Sequence, residues 1–261
     1  MTKMSMSACS LPEKPEPDLY HAFFTRTMAR EPVLNVTTLR RLKALSWATD
    51  QQLEQLISHM SLRRVERRTV LFTEGAPSDD LYLLVSGVVK LSLRGLEGED
   101  VLVSLVCPGE LFGITSLMPG VQQRAFRSEA FSDCWVGVLR PETFVTTLLG
   151  VPFADFTAMM GSTISRWFDL LYRYAHFQGL SLRQRLALAL LELAQKFGVQ
   201  DARGTILILQ LTHEDLADLV GASRQKVTEH MKELERQQLI LRDGRKLIVL
   251  PQRLQEIVGL A

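Results

Sequence analysis

Residues 211–231 have the spacing of two short helices joined by a tight turn, and this feature restricts the fold more than any other. Ala217 is small enough to let two helices cross closely, and Gly221 suits the turn between them. Val227 supplies a branched apolar side chain for the shared core. The spacing predicts a helix-turn-helix, a unit that places its second helix in the major groove of DNA.

The exposed side of the second predicted helix carries side chains that can read bases. Arginine bonds to guanine, glutamine bonds to adenine, and threonine can meet either the methyl group of thymine or a phosphate. Thr212 and Ser223 are placed to cap the two helices, and Lys226 either meets a phosphate or is a solvated charge. The predicted base-reading residues are Arg224, Gln225, Thr228 and Glu229.

Two apolar runs flank Asp243 and Gly244, a pair that favours the turn of a β-hairpin. A hairpin after a helix-turn-helix is the wing of a winged helix. We therefore expect Arg242, Arg245 and Lys246 to contact the DNA backbone, with a solvated turn as the alternative. The net charge is only +1, so the whole chain carries no basic field that would attract DNA. Any DNA contact must therefore come from a local group of basic side chains.

Residues 65–139 consist of short β-rich runs separated by glycine or proline. Runs at such close spacing predict a small sandwich or barrel. Asp50 is the predicted N-cap of a helix that precedes them. The runs cover residues 69–72, 81–85, 88–93, 101–106 and 134–139.

Large apolar side chains recur at steps of three and four between residues 153 and 177. This spacing is typical of a seam between two helices. Aromatic side chains spread over three heptads form a larger apolar surface than one small domain could cover, so we expect a homodimer. The alternative is that this stripe packs on the chain's own β domain. The seam residues are Phe153, Phe156, Met160, Trp167, Leu170, Tyr174 and Phe177.

Three cysteines without CxxC spacing predict a reducing cytoplasm, with neither a disulfide framework nor a metal site. No apolar run is long enough to span a bilayer, and we expect no membrane partner. The sequence contains no GxxxxGK, HExxH or GxSxG run, and its histidines are scattered. These patterns predict no catalytic residue and no enzyme.

The order of these features, from about residue 47 to 250, resembles the cyclic-AMP receptor and fumarate-nitrate-reduction regulators. Residues 220–227 are similar to that family's recognition signature. The resemblance implies an α+β fold with a jelly-roll β-roll, a long dimerisation helix and a winged helix-turn-helix. It also implies a near-palindromic double-stranded DNA site and RNA polymerase as a partner. The predicted domains are a partly disordered extension (1–44), a sensor (45–151), a dimerisation helix (152–179) and a DNA-binding domain (180–261).

Residues 108–125 stand in the place of the family's phosphate-binding cassette. In nucleotide-binding members a glutamate meets the ribose where this chain has Ile114, and a serine or threonine stands where it has Ala125. Leu170 and Leu171 replace the polar pair that meets the adenine. Each polar group left unpaired would cost about 1–3 kcal/mol, so we do not expect cyclic AMP to be the effector. The residues implied to face an effector phosphate are Gly113, Ile114, Thr115, Ser116 and Arg124.

Other effectors stay open at this point. An iron–sulfur cluster needs several N-terminal cysteines, and this chain has only Cys9 there, so we expect none. Cys107 is either a haem thiolate ligand, with His21, His59 or His176 as its partner, or a buried cysteine at a strand end. Cyclic di-GMP, another small effector or no effector are further alternatives. So is a β-roll adaptor that binds an effector without regulating DNA.

Overall fold

The computed structural model describes residues 32–259, apart from 43, 44, 46, 47, 96, 97, 99 and 149–151. The predicted N-terminal tail, Cys9 and His21 lie outside the described residues. Within the described residues the first two α-helices are α1, Val36–Arg40, and α2, Asp50–His59. Thr49, and not the predicted Asp50, is the N-cap of α2, because its hydroxyl accepts from the backbone N–H three residues later.

Eight short strands form the β-roll, hereafter the roll. Their bounds are β1 Ser61–Val65, β2 Val70–Phe72, β3 Leu81–Ser86, β4 Val89–Arg94, β5 Asp100–Val106, β6 Leu111–Phe112, β7 Arg127–Ala130 and β8 Cys134–Leu139. One antiparallel sheet has the order β1-β8-β3-β6 and the other β2-β7-β4-β5. The predicted small β domain is confirmed, and it contains three strands that the sequence did not indicate: β1, β6 and β7.

Alternate side chains of β3 enter two different cores, because successive residues of a strand point to opposite faces. Leu81 and Leu83 are buried against helices α1, α2 and α3, Pro141–Leu148. Tyr82 and Leu84 are buried in the interior of the roll. The helices therefore cover the outer face of this sheet.

Leu39 and Leu42 are buried in the core that α1 shares with the roll. The sequence assigned both residues to the N-terminal extension that ends at residue 44. Leu39 lies on α1 and Leu42 follows its end, and together they cover leucines that the sheet would otherwise expose. The packed part of the sensor domain thus begins before residue 45.

A single long helix, α4, connects the roll to the C-terminal part of the chain. It runs over Phe153–Gly179, and its 27 residues give a length of about 40 Å. The Trp167 ring lies 5.9 Å from the ring of Phe126, which precedes β7. None of the helices in the described part of the chain combines the length and the apolar character needed to cross a membrane.

The C-terminal part, hereafter the reader domain, is a winged helix, as the sequence predicts. Its small sheet has the order β11-β12-β10-β9, and its helices pack their buried faces around Leu190, Leu216 and Val227. Its elements are α5 Leu182–Phe197, β9 Gly198–Asp201, β10 Gly204–Leu207, α6 His213–Val220, α7 Arg224–Arg236, β11 Ile240–Asp243, β12 Lys246–Val249 and α8 Pro251–Val258.

The reader domain packs directly on the second sheet of the roll. Val88, Leu102 and Phe131 of the roll are buried in the same apolar cluster as the reader's helices. Beside this cluster, the Lys90 ammonium lies 4.0 Å from the carboxylate of Asp218 on α6. Burial raises the pKa of Asp218 to about 6, although Lys90 opposes the shift. Apolar packing and charge together fix where α6 sits.

Candidate nucleic-acid interface and effector pocket

Helix α6 begins at a side-chain cap and ends at a glycine. The Thr212 hydroxyl accepts from the backbone N–H of Asp215 at 3.1 Å, and the Asp215 carboxylate accepts from the N–H of Thr212 at 2.8 Å. Gly221 has a φ of 63°, which places it in the left-handed region that favours glycine. The predicted capping box and glycine stop are both confirmed.

The second helix of the motif, α7, starts at Ser223, whose hydroxyl accepts from the N–H of Lys226 at 3.4 Å. Ala217 and Val227 are buried in the core of the domain, as their spacing predicts. The small side chain of Ala217 allows α6 and α7 to lie close together. The turn and this core hold α7 with its polar side outward.

The first two turns of α7 present polar side chains to solvent. Arg224, Gln225, Lys226 and Glu229 are all exposed there. The Gln225 amide donates to the Glu229 carboxylate at 3.2 Å, so these two side chains are already oriented together. The structure therefore brings together the residues that the sequence selects as base readers, with Thr228 half-buried beside them.

The wing is the hairpin of β11 and β12, and Arg245 and Lys246 are exposed at its tip. Arg203 donates to Asp243 at 3.0 Å and braces the turn from the neighbouring hairpin. On the other side, the Arg242 guanidinium lies 3.5 Å from the carboxylate of Glu235 on α7. Arg242 thus ties the wing to the helix that carries the base-reading residues.

His213, the first residue of α6, is a contact that sequence reasoning missed. Its Nε2 lies 3.0 Å from Nη2 of Arg242, and its Nδ1 lies 2.8 Å from Oγ1 of Thr228. Burial, followed by the cations Arg242, Arg224 and Lys232, lowers the pKa of His213. The only signal in the sequence is a histidine next to a helix cap, which by itself indicates nothing about its partners.

In the roll, the arginine predicted to face an effector phosphate is turned into the protein. Arg124 is 3% exposed, and its guanidinium donates to the carbonyl oxygens of Gly113 at 2.9 Å and Asp80 at 2.7 Å. It also lies over the rings of Phe72 and Tyr82, at 4.5 Å and 5.3 Å from their centroids. Burial lowers the pKa of Arg124. Both terminal nitrogens of Arg124 therefore already donate to backbone carbonyls of the roll.

The neighbouring cassette residues also bond or pack within the chain. Gly113 has a φ of 72° and precedes the 3-10 helix Ile114–Leu117. Ile114 packs on the leucine core beneath the sensor helices, while the Thr115 hydroxyl lies 2.9 Å from that of Ser78 and the Ser116 hydroxyl donates to Gly113. The structure brings these residues and Arg124 together, as expected, but leaves Ala125 exposed.

Two family models match this architecture. The cyclic nucleotide-binding domain matches residues 62–149, and the Crp-like helix-turn-helix domain matches residues 184–257. The chain belongs to the Crp/Fnr family. This chain is a Crp-like DNA-binding transcription regulator with the α+β fold expected from its sequence.

Curated relatives of this Crp/Fnr chain are regulators from several bacteria. It is 28% identical over 193 residues to the global nitrogen regulator of Synechococcus elongatus, covering 73% of this chain and 86% of that protein. It is 29% identical over 195 residues to the CRP-like cAMP-activated global transcriptional regulator of Mycobacterium tuberculosis, covering 70% of this chain and 81% of that one.

Solved structures show the same Crp/Fnr fold. The c-di-GMP responsive global regulator CLP of Xanthomonas campestris aligns with a TM-score of 0.67 at 21% identity, over 77% of this chain and 99% of that chain. A CRP/FNR-family regulator of Thermus thermophilus aligns with a TM-score of 0.62 at 25% identity, over 76% and 98%.

The exposed apolar side of α4 in this Crp/Fnr chain differs in part from the seam that heptad spacing predicts. Trp167 and Tyr174 are exposed, but Leu170 and Phe177 are half-buried. The Arg185 guanidinium lies 6.0 Å from the Phe177 ring, which explains why that ring turns toward the reader domain. The side chains of Phe153, Phe156 and Met160 lie outside the described residues. Among the residues of α4 whose side chains the structure describes, the other large apolar ones that are exposed are Ile164, Phe168, Leu171 and Tyr172.

Leu171, predicted to face the effector, is 60% exposed, so α4 of the same chain does not enclose it with the cassette. The side chains of Cys107 and Cys134 are both buried, and Cys107 directly follows β5. Burial raises the pKa of the Cys134 thiol to about 12. Among the described residues, no group of three or more His, Cys, Asp or Glu side chains could hold a metal ion.

Proposed function

We propose that this Crp/Fnr regulator is a homodimer that binds a near-palindromic double-stranded DNA site, and that its roll does not respond to cyclic AMP. The observation that carries the proposal is the grouping of Arg224, Gln225 and Glu229 on the exposed start of α7, beside the cations of the wing. Arginine and glutamine both bond bidentately to purines in the major groove. RNA polymerase is the protein partner that we propose at the promoter.

The dimer is supported by the exposed apolar side of α4. Phe168 and Leu171 lie on one face of the helix, three residues apart, and both are more than half exposed. A contiguous apolar face of this kind marks an interaction site. In a two-fold dimer the two α7 helices would enter successive major grooves, about 34 Å apart, which is why we propose a near-palindrome.

Arg224→Ala combined with Gln225→Ala is expected to weaken DNA binding at least about 100-fold, because each base contact is worth about 1–3 kcal/mol and the dimer loses each contact twice. Selection from a random duplex library with the wild-type protein first supplies the binding site. Fluorescence anisotropy at one fixed salt concentration then gives the dissociation constant for that duplex. Arg140→Ala, which removes an exposed arginine from the roll, is the charge-matched control. Unchanged binding by the double variant would contradict the assignment of α7 as the reader.

Cyclic AMP is expected to leave the melting temperature of the protein unchanged, because Arg124 already bonds to Gly113 and Asp80. A ligand at about 100 times its Kd would add about 2.7 kcal/mol, which is about 5 °C or more for a chain of this size. The melt also includes cyclic GMP and cyclic di-GMP, with the cAMP-activated relative from Mycobacterium tuberculosis as a positive control. A clear shift with cyclic AMP would contradict this part of the proposal.

A further inference from the structure

A chain of hydrogen bonds crosses the reader domain from the wing to the recognition helix. A guanidinium group can only donate, so His213 Nε2, which lies 3.0 Å from Nη2 of Arg242, must be an acceptor. The proton of the neutral imidazole is then on Nδ1, 2.8 Å from the Thr228 hydroxyl. That hydroxyl in turn donates to the backbone carbonyl of Arg224 at 2.8 Å. Each group therefore donates to the next, from Arg242 on the wing to the first turn of α7.

The backbone of His213, the middle residue of these hydrogen bonds, is held in place by its neighbours. His213 directly follows Thr212, whose capping box with Asp215 holds the start of α6. The His213 ring is half-buried, and its two nitrogens contact two different elements of the domain. A side chain held in this way can fix the geometry of both neighbours, as a supporting residue does in a binding site.

We propose that His213 is a positioning residue for DNA recognition, which locks the wing to α7 and leaves Thr228 to meet DNA through its methyl group. The inference rests on the proposed DNA-reading role of α7. Because the Thr228 hydroxyl donates its proton to the backbone carbonyl of Arg224, that proton is not available to a phosphate oxygen. The methyl group remains for contact with thymine. His213 itself needs no contact with DNA.

The hydrogen bonds of His213 to Arg242 and Thr228, hereafter the lock, depend on pH. The charged groups around His213 are Arg242 on the wing and Arg224 and Lys232 on α7, while Glu235 pairs with Arg242. An imidazolium donates from both nitrogens, so protonation removes the acceptor for Arg242. Because burial and these cations lower the pKa of His213, the lock is complete above the ordinary value of 6.5 and is lost as pH falls through the lower folded-state value.

The test measures binding of the full chain to the selected duplex and to a scrambled duplex of the same composition. The ratio of the two dissociation constants reports specificity at constant salt. For the wild type we expect this ratio to fall as pH is lowered below about 6.5 and to approach a loss of about tenfold once His213 is protonated, the effect of one charge-assisted hydrogen bond. His230→Gln changes a histidine of α7 that takes no part in these hydrogen bonds, and it should keep the wild-type profile.

Two variants of His213 separate the lock from simple packing. His213→Gln offers an acceptor near the position of Nε2 and does not titrate, so its specificity should stay close to that of the wild type at high pH and should not change with pH. His213→Phe keeps the ring but loses both bonds, and we expect about tenfold lower specificity at every pH. Thermal melts check that both variants fold.

Two results would overturn the proposal. One is a pH profile of specificity in His213→Gln that matches the wild type. The other is a wild-type specificity that rises as pH falls, which would indicate an imidazolium in contact with a phosphate. Failure of the proposed function looks different: the wild type would not distinguish the two duplexes at any pH, and Arg224→Ala would change nothing.

Discussion

Phe168→Glu combined with Leu171→Glu is expected to convert the dimer into a monomer and to raise its dissociation constant at least about 1000-fold. The two side chains are 66% and 60% exposed on one face of α4. A large apolar side chain contributes about 1.5–3 kcal/mol when it is fully buried, and the two-fold axis makes each loss count twice. Four carboxylates facing one another would add repulsion to that loss.

Sedimentation velocity or light scattering would show a particle with the mass of one chain instead of two. Glutamate is a good helix former, so circular dichroism should show α4 intact. Val145→Glu changes an exposed apolar residue of α3 and serves as the matched control, which should remain a dimer. A double variant that kept the mass of two chains would mean that this face of α4 is not the dimer interface.

Loss of the dimer should also remove tight DNA binding, even though each reader domain stays folded. A monomer presents one α7 and can contact only one half of a near-palindrome. Anisotropy with the selected duplex and with a single half-site would separate the two effects. Unchanged affinity for the half-site would show that α7 itself is undamaged.

The reader domain was predictable because its signals act over a few residues. Thr212 and Gly221 begin and end α6 through bonds within one turn, and Gly244 suits a tight hairpin through its own φ of 59°. Such features depend on local geometry, which the sequence specifies directly. The same is true of the exposed residues at the start of α7, whose place follows from the cap.

The strands that the sequence did not indicate depend on residues far away along the chain. Strands β1, Ser61–Val65, and β7, Arg127–Ala130, are short and largely polar, so neither has the apolar texture of a buried strand. Strand β1 is held by its pairing with β8, more than sixty residues along the chain. Strand β7 is held between β2 and β4. Their existence depends on partners that periodicity within a window does not reveal.

The two least predictable site features are also non-local. His213 meets Thr228 and Arg242, fifteen and twenty-nine residues away, and its role depends on a proton position that only those partners determine. Arg124 was predicted to face a phosphate, yet its charge is met by backbone carbonyls and aromatic faces inside the roll. In each case the residue type was visible in the sequence and the partner was not.

Arg124→Ala is expected to lower the free energy of unfolding by about 3 kcal/mol. The change leaves the carbonyl of Asp80 without its donor and opens a cavity beside Phe72 and Tyr82. Gly113 loses less, because its carbonyl still accepts from Ser116. Urea denaturation followed by circular dichroism would measure the effect. Arg140→Ala, at a side chain that is 69% exposed, should change stability by less than about 0.5 kcal/mol.

Arg124→Met would separate packing from charge, because methionine fills irregular space without a cation. We expect a net loss of about 1 kcal/mol, because removal of the buried charge offsets part of the loss of its two hydrogen bonds. The opposite sign would also carry meaning, since a buried charge can cost more than its contacts return and Arg124 Nε has no hydrogen-bond partner. A methionine variant with a higher free energy of unfolding than the wild type would mean that Arg124 destabilises the roll. Arg124 would then be kept for an anionic effector, and the expectation that it is only a structural residue would be wrong.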